Sequence, residues 1–460
     1  MYQKKTHIHF VGIGGIGMSG IAELLLNLGY TVSGSDIQSS SQTKRLAELG
    51  GTIYQGHDRA WGAGADVVVT SSAISEKNPE VLRAREAGIP VIMRAEMLAE
   101  LMRLKKYGIA IAGSHGKTST TSMVSCMLAA AHLDPTVVVG GRVDALGGNV
   151  KLGEGEFLVA EADESDGSFL KLSPVVEVIT NIDLEHLDYY RDIEHIKETF
   201  LQFIEKIPFY GRAILCIDNA YIAEILPHIR KRTLTYGLTS RADVYAEDIS
   251  YKNERVCCTV KDQSGRLGDI SVVPPGLHSV YNALAAVCVG LELELDFREI
   301  QRGLESFAGV QRRMQKKGEV GGIEIVDDYG HHPTEIRTTL DAVKKAWPER
   351  RLVVLFQPHR YSRTKALFKE FQTCFDKADV LVLCDIYPAS EEPIAGVSSK
   401  TLLESIRIEG QTAYIPDVTT MAKDVLPLLK KGDLLLTLGA GNIVQVGEEL
   451  LDLIASRGLA

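Results

Sequence analysis

The residue types with the most specific chemistry in this chain are Gly113-Ser114-His115-Gly116-Lys117-Thr118, with Ser119 behind them. The apolar run 108–112 ahead of them predicts a short buried strand. Apolar positions at Met123, Val124, Met127 and Leu128 predict a helix over 118–132. A strand, a glycine turn and a helix N-terminus make an anion cradle, because the first-turn N–H groups and the helix dipole both favour negative charge. Lys117 adds a cation, and the Thr118 hydroxyl suits a phosphate-bound Mg²⁺. Two residues separate the glycines, whereas the generic nucleotide loop has four, so the rest of the chain must supply what such a loop needs.

It supplies acids. The apolar run 157–160 ends in Glu161-Ala162-Asp163-Glu164-Ser165-Asp166, and 175–180 ends in Asn181-Ile182-Asp183-Leu184-Glu185-His186. Oxygen donors at strand ends beside a phosphate loop are what a Mg²⁺ site requires, so Thr118, Glu161 and His186 are the expected metal ligands. Further on, His278 and Asn282 are four residues apart at the start of a helix over 280–291 and share one of its faces.

A second glycine motif lies upstream. Gly12-Ile13-Gly14-Gly15-Ile16-Gly17 follows a strand over 8–11 and opens a helix. The next strand, 31–34, ends at Ser35 and Asp36, with Asp36 19 residues after Gly17, where a Rossmann unit places a ribose-holding acid. A strand over 66–70 leads to a turn at Ser71. Downstream, strands over 323–326, 352–356, 380–384 and 434–438 each run into polar residues, which brings Asp328, His331, Arg360 and Arg363 to one edge of one parallel sheet.

At 460 residues the chain exceeds a single core, and the boundaries read as 1–106, 107–309 and 310–460. A net charge of −10 argues against nucleic-acid partners. Without an apolar leader or a run of about 18 apolar residues, the expectation is no membrane insertion and a cytoplasmic location. The seven cysteines form no CxxC pair and read as small core residues.

Taken in order, Gly12–Gly17, Gly113–Thr118, the two acid clusters, residues 276–282, Arg312-Arg313, residues 327–333 and residues 359–364 resemble the Mur ligase family over nearly the whole chain. In that family the two-residue gap in the phosphate loop is usual. The resemblance implies an α/β protein of three domains. These are an N-terminal Rossmann-like domain, a central P-loop ATP-binding domain with a mainly parallel sheet, and a C-terminal Rossmann-like domain. It implies ATP-dependent joining of L-alanine to the lactyl carboxylate of UDP-N-acetylmuramate (UDP-MurNAc), in a monomer or homodimer. Two Mg²⁺ ions are implied, with Mn²⁺ able to substitute.

By the same resemblance, residues 113–119 hold ATP phosphates, with Lys117 on the β- and γ-phosphates. Thr118 and Glu161 hold one metal, and Glu161 with His186 the other. His278 and Asn282 lie on the adenine side, and Arg313 and Asp328 reach ATP from the third domain. His331, Arg360 and Arg363 orient L-alanine. Gly14, Gly15, Ile16, Gly17, Ser35, Asp36 and Ser71 hold the UDP part. A nicotinamide-dependent oxidoreductase would account for Gly12–Asp36 but has no use for Lys117, Thr118 and two acid clusters.

Overall fold

A computed structural model describes residues 6–71, 73–143, 148–187, 189–252 and 254–456; Ser72, beside the expected turn residue Ser71, lies outside the described residues. The chain gathers into two compact units. One is Met1–Asp248 with Cys258–Ser271 and Tyr281–Ala308, and the other is Ile249–Cys257 with Val272–Val280 and Gly309–Ala460.

Three sheets carry the fold. The N-terminal one has five parallel strands, in the spatial order Thr52–Gln55, Thr31–Asp36, His7–Val11, Val67–Thr70, Val91–Met93. The strand order reverses beside His7–Val11, so the glycine loop after that strand opens at a topological switch point, where open α/β sheets bind ligands.

The central sheet has ten strands, and Tyr107–Ala112 lies in its interior between Val176–Ile179 and Phe157–Glu161, parallel to both. This order decides where the chemistry is. The phosphate loop leaves the middle strand, and the two acid clusters leave its two neighbours on the same edge. The loop helix, Lys117–Ala130, packs on the helix Phe297–Ser306. Gly303 makes that approach feasible, since a Cβ there would lie 2.3 Å from Met127 Cα.

The third sheet has six strands, five of them parallel in the order Ile323–Asp328, Leu434–Leu438, Leu352–Phe356, Val380–Leu383, Gln411–Tyr414. Its strands Leu352–Phe356 and Val380–Leu383 are apolar throughout because both faces are covered. Leu352, Val354 and Phe356 enter one core and Val353 and Leu355 the other, as the two-residue period of a strand requires.

Each sequence-predicted strand named above is present to within a few residues, and the α/β architecture is as expected. Glu177 is among the buried residues that break the apolar pattern. Glu177, in Val176–Ile179, is 0% exposed and neither carboxylate oxygen has a hydrogen-bond partner. Burial therefore pushes its pKa well above the usual carboxylate range. The folded chain keeps the proton that the unfolded chain loses above its ordinary pKa, so folding stability falls as pH rises through that window. We expect the wild type to lose stability relative to Glu177→Gln between pH 5 and pH 8, by up to about 1.4 kcal/mol per pH unit. Urea unfolding at four pH values checks this; parallel curves for the two proteins would contradict it.

Candidate active site

The phosphate loop is built before any ligand arrives. Thr180 Oγ1 donates to the His115 carbonyl at 2.6 Å, and Asn181 Nδ2 donates to it at 3.0 Å. The His115 N–H donates to Asn181 Oδ1 at 2.8 Å, and the Ser114 N–H donates to the Asn181 carbonyl at 3.1 Å. The Asp183 N–H closes the set on Ser114 Oγ at 2.8 Å. The two residues between the glycines are thus fastened to the neighbouring strand's end, which leaves the first helical turn to face a ligand.

Gly116 begins that turn at φ 82°, with no side-chain cap. A side chain at Gly116 would be strained, and its Cβ would come within 2.6 Å of Asn282 Oδ1. Asn282 therefore stands against the loop.

Lys117 Nζ donates to the carbonyls of Gly113 and Ser114 at 2.6 and 3.1 Å and to Glu164 Oε1 at 2.8 Å. Burial would push this ammonium down, but Glu164, then Glu161 and Asp163, outweigh it, and the net shift is upward. Lys117 stays charged. Thr118 Oγ1 donates to Glu161 Oε2 at 2.9 Å, as does the Gly140 N–H at 2.8 Å.

His186 stands beside acids of both clusters. His186 Nε2 lies 3.4 Å from Glu164 Oε1 and 3.8 Å from Glu185 Oε2. These three residues offer ligand atoms within 4.8 Å of one another. Glu164 is 2% exposed and its Oε2 has no partner. Burial lowers the His186 pKa, but Glu164 and Glu185 outweigh it, so the net shift is upward. The backbone at His186 is left-handed, φ 54°. Glu164 and Glu185 were missed as site residues. The signal was present, since both lie in the acid clusters, but strand order was needed to choose among the acids.

The donor set fits a hard divalent cation. A hydroxyl and a carboxylate pair at Thr118 and Glu161, and an orphaned buried carboxylate oxygen at Glu164 stands with Glu185 and His186.

In the N-terminal sheet the Gly14 N–H donates to Asp36 Oδ2 at 2.8 Å, so Asp36 braces the glycine loop with one oxygen. Gly15 and Ile16 are exposed at its rim, and Gly17 lies against Arg94. Ser71 ends its strand and accepts the Ile74 N–H at 3.0 Å. Ser35 is fully buried, and its hydroxyl donates to Glu80 at 2.9 Å.

In the C-terminal unit, Asp328 accepts the Met314 and Gly330 N–H groups at 2.8 and 2.7 Å, and burial pushes its pKa up to about 6 against the pull of Arg313. Arg313 bonds Glu335 at 3.1 Å. His278 Nδ1 is buried without a partner, and burial and Arg313 push its pKa down to about 4. The His331 N–H donates to Glu335 Oε2 at 3.0 Å, and the His331 and His359 rings lie 5.7 Å apart. Arg360 has φ 70° at the start of Tyr361–Ala366, and Arg363 Nη1 donates to His359 Nδ1 at 3.2 Å. His359 can accept because burial, His331, Arg363 and Arg360 push its pKa down to about 4.

Three family models match in series: "Mur ligase family, catalytic domain" over residues 7–106, "Mur ligase middle domain" over 111–290, and "Mur ligase, glutamate ligase domain" over 312–441. The UDP-N-acetylmuramate–L-alanine ligase of Desulfotalea psychrophila is 66% identical over 456 residues, covering 99% of each chain. The chain belongs to the Mur ligase family. It is accordingly an ATP-dependent ligase. Among solved structures, the UDP-N-acetylmuramate–alanine ligase of Thermotoga maritima matches at TM-score 0.81 and 28% identity, over 98% of this chain and 99% of that one. A murein peptide ligase from Psychrobacter arcticus matches at TM-score 0.70 and 25% identity, over 98% of each.

Lys117→Ala should lower ATP-dependent phosphate release by about two orders of magnitude or more, because it removes the cation from the phosphate cradle. The thermal midpoint should fall as well, since the variant leaves the buried Glu164 carboxylate without its cation. Phosphate release and differential scanning fluorimetry check both halves; activity within tenfold of wild type would contradict the role given to Lys117.

Proposed function

We propose that this protein joins L-alanine to the lactyl carboxylate of UDP-MurNAc, with cleavage of ATP to ADP and phosphate, in the cytoplasmic assembly of peptidoglycan precursors. The observation that carries the reading is the phosphate loop at Lys117 flanked on both sides by acid loops, in a chain 66% identical to a ligase of that name. Residues 1–106 would bind the UDP part, 107–309 ATP, and 310–460 the amino acid.

A carboxylate and an amine do not condense in water, because hydroxide or oxide is a poor leaving group. Phosphate is a good one. The lactyl carboxylate attacks the γ-phosphorus, ADP leaves, and an acyl phosphate forms. The amine of L-alanine attacks the acyl carbon, and the tetrahedral intermediate collapses with loss of phosphate and a proton. Catalysis is then positioning and charge neutralisation.

Each residue has a part. Lys117 exchanges its carbonyl and Glu164 partners for the β- and γ-phosphate oxygens. The N–H groups of the Gly116–Ser119 turn point at the same oxygens. Thr118 with Glu161, and His186 with Glu164 and Glu185, would hold Mg²⁺ or Mn²⁺. Such ions supply neutralisation of phosphate and carboxylate charge when bound. His278 and Asn282 serve the adenine side, and Arg313 and Asp328 the nucleotide from the third domain. Arg360 and Arg363 grip the amino-acid carboxylate, because a guanidinium fork binds both oxygens, and His331 orients the amine.

A second reading is a ligase that re-attaches recovered murein peptides, as the name of the Psychrobacter arcticus neighbour suggests. The Arg360 and Arg363 pair, suited to one small amino acid, favours the first. Phosphate release with UDP-MurNAc and ATP should respond to L-alanine above glycine and L-serine, and not to a tripeptide. Release with the tripeptide alone would overturn the proposal. Arg363→Ala should raise the KM for L-alanine tenfold or more with little change in the KM for ATP. An equal rise in both constants would contradict the role of Arg363.

A further inference from the structure

Beneath the glycine loop of the N-terminal sheet lies a chain of buried polar groups. Glu80, on the helix Pro79–Glu86, has a side chain only 1% exposed. Its Oε1 accepts from Ser35 Oγ at 2.9 Å and from His57 Nδ1 at 2.6 Å. Its Oε2 meets His9 Nε2 at 2.7 Å, and His9, itself 0% exposed, meets Ser33 Oγ at 2.8 Å through Nδ1. His7 Nε2 extends the chain to Ser33 Oγ at 2.7 Å. Three donors on one carboxylate is a large outlay of polar groups for a core. It is balanced, because every buried donor finds an acceptor.

Of the three groups that bond Glu80, only His57 reaches the surface, its side chain 19% exposed. A carboxylate only accepts, so Nδ1 must carry the proton, and in the neutral ring Nε2 is then an acceptor. Among the described residues Nε2 has no partner.

The position of His57 says what it faces. Phosphates belong at the glycine loop by the switch point, and the ribose belongs at the acid ending the second strand. The base must lie further out along the same edge, toward the third strand. Asp36 pairs in register with Gln55 of that strand, and the Gly56 N–H donates to the Asp36 carbonyl at 2.7 Å. His57 is the next residue.

We infer that His57 reads the uracil ring, accepting its imide N–H at Nε2, and that Glu80 is the positioning residue that fixes this tautomer. The inference rests on the UDP-sugar reading above and adds the base discrimination to it. Uracil carries a hydrogen at N3; cytosine carries a lone pair there, which would face the lone pair of Nε2. A site that hydrogen-bonds one analogue and opposes the other discriminates strongly.

Calorimetric titration of the full chain with UDP and with CDP tests this. The wild type should prefer UDP at least tenfold. His57→Leu should bring the two within about twofold. His57→Gln should keep most of the preference, because its amide nitrogen can donate to Glu80 while its oxygen accepts from the base. Glu80→Gln, which can donate to His57 and favour the other tautomer, should lower the ratio severalfold. A wild-type ratio in His57→Leu, or equal loss of both nucleotides in the Leu and Gln variants, would overturn the inference and leave the UDP-sugar reading standing. No UDP binding by the wild type would overturn both.

Discussion

The Lys117 ammonium is held within the protein by two carbonyls and the Glu164 carboxylate, its side chain 14% exposed. A cation this far from water needs a partner, because its desolvation cost is otherwise unmet. Glu164 supplies that partner at 2.8 Å and keeps the cation in the cradle. The same carboxylate lies beside His186, so the cation of the cradle and the histidine share one neighbour. Tyr190 fixes the backbone of Glu164 by donating to its carbonyl at 2.5 Å.

This interaction depends on topology. Glu164 reaches Lys117 because Phe157–Glu161 is the immediate neighbour of Tyr107–Ala112, and His186 reaches Glu164 because Val176–Ile179 is the neighbour on the other side. Parallel pairing sends all three loops to one edge. Residues spread from position 117 to position 186 thus converge at one edge of the sheet.

Much of this was legible in the sequence. The apolar runs gave the parallel strands because, in sheets covered on both faces, burial demands continuous hydrophobicity. Residues 113–118 announced an anion cradle, and the two clusters announced acids at strand ends. What pattern alone left open was which acids meet. Glu161 meets Thr118 and the Gly140 amide, while Glu164 and Glu185 face the histidine. Successive residues past a strand end diverge with the loop's path, and no periodicity encodes that path. Ser35 shows the same limit: its residue type does not announce that its hydroxyl donates to Glu80. The Glu80 network was invisible because its members are spread over residues 7–80 and no motif joins them.

The central claim is that the carboxylate of the acceptor is activated by phosphoryl transfer. The most direct measurement uses UDP-MurNAc labelled with ¹⁸O in both lactyl carboxylate oxygens, turned over with ATP and L-alanine. If the carboxylate attacks the γ-phosphorus, one labelled oxygen leaves with each phosphate, and mass spectrometry should find one ¹⁸O per phosphate and one in the amide. Phosphate free of label would contradict the account.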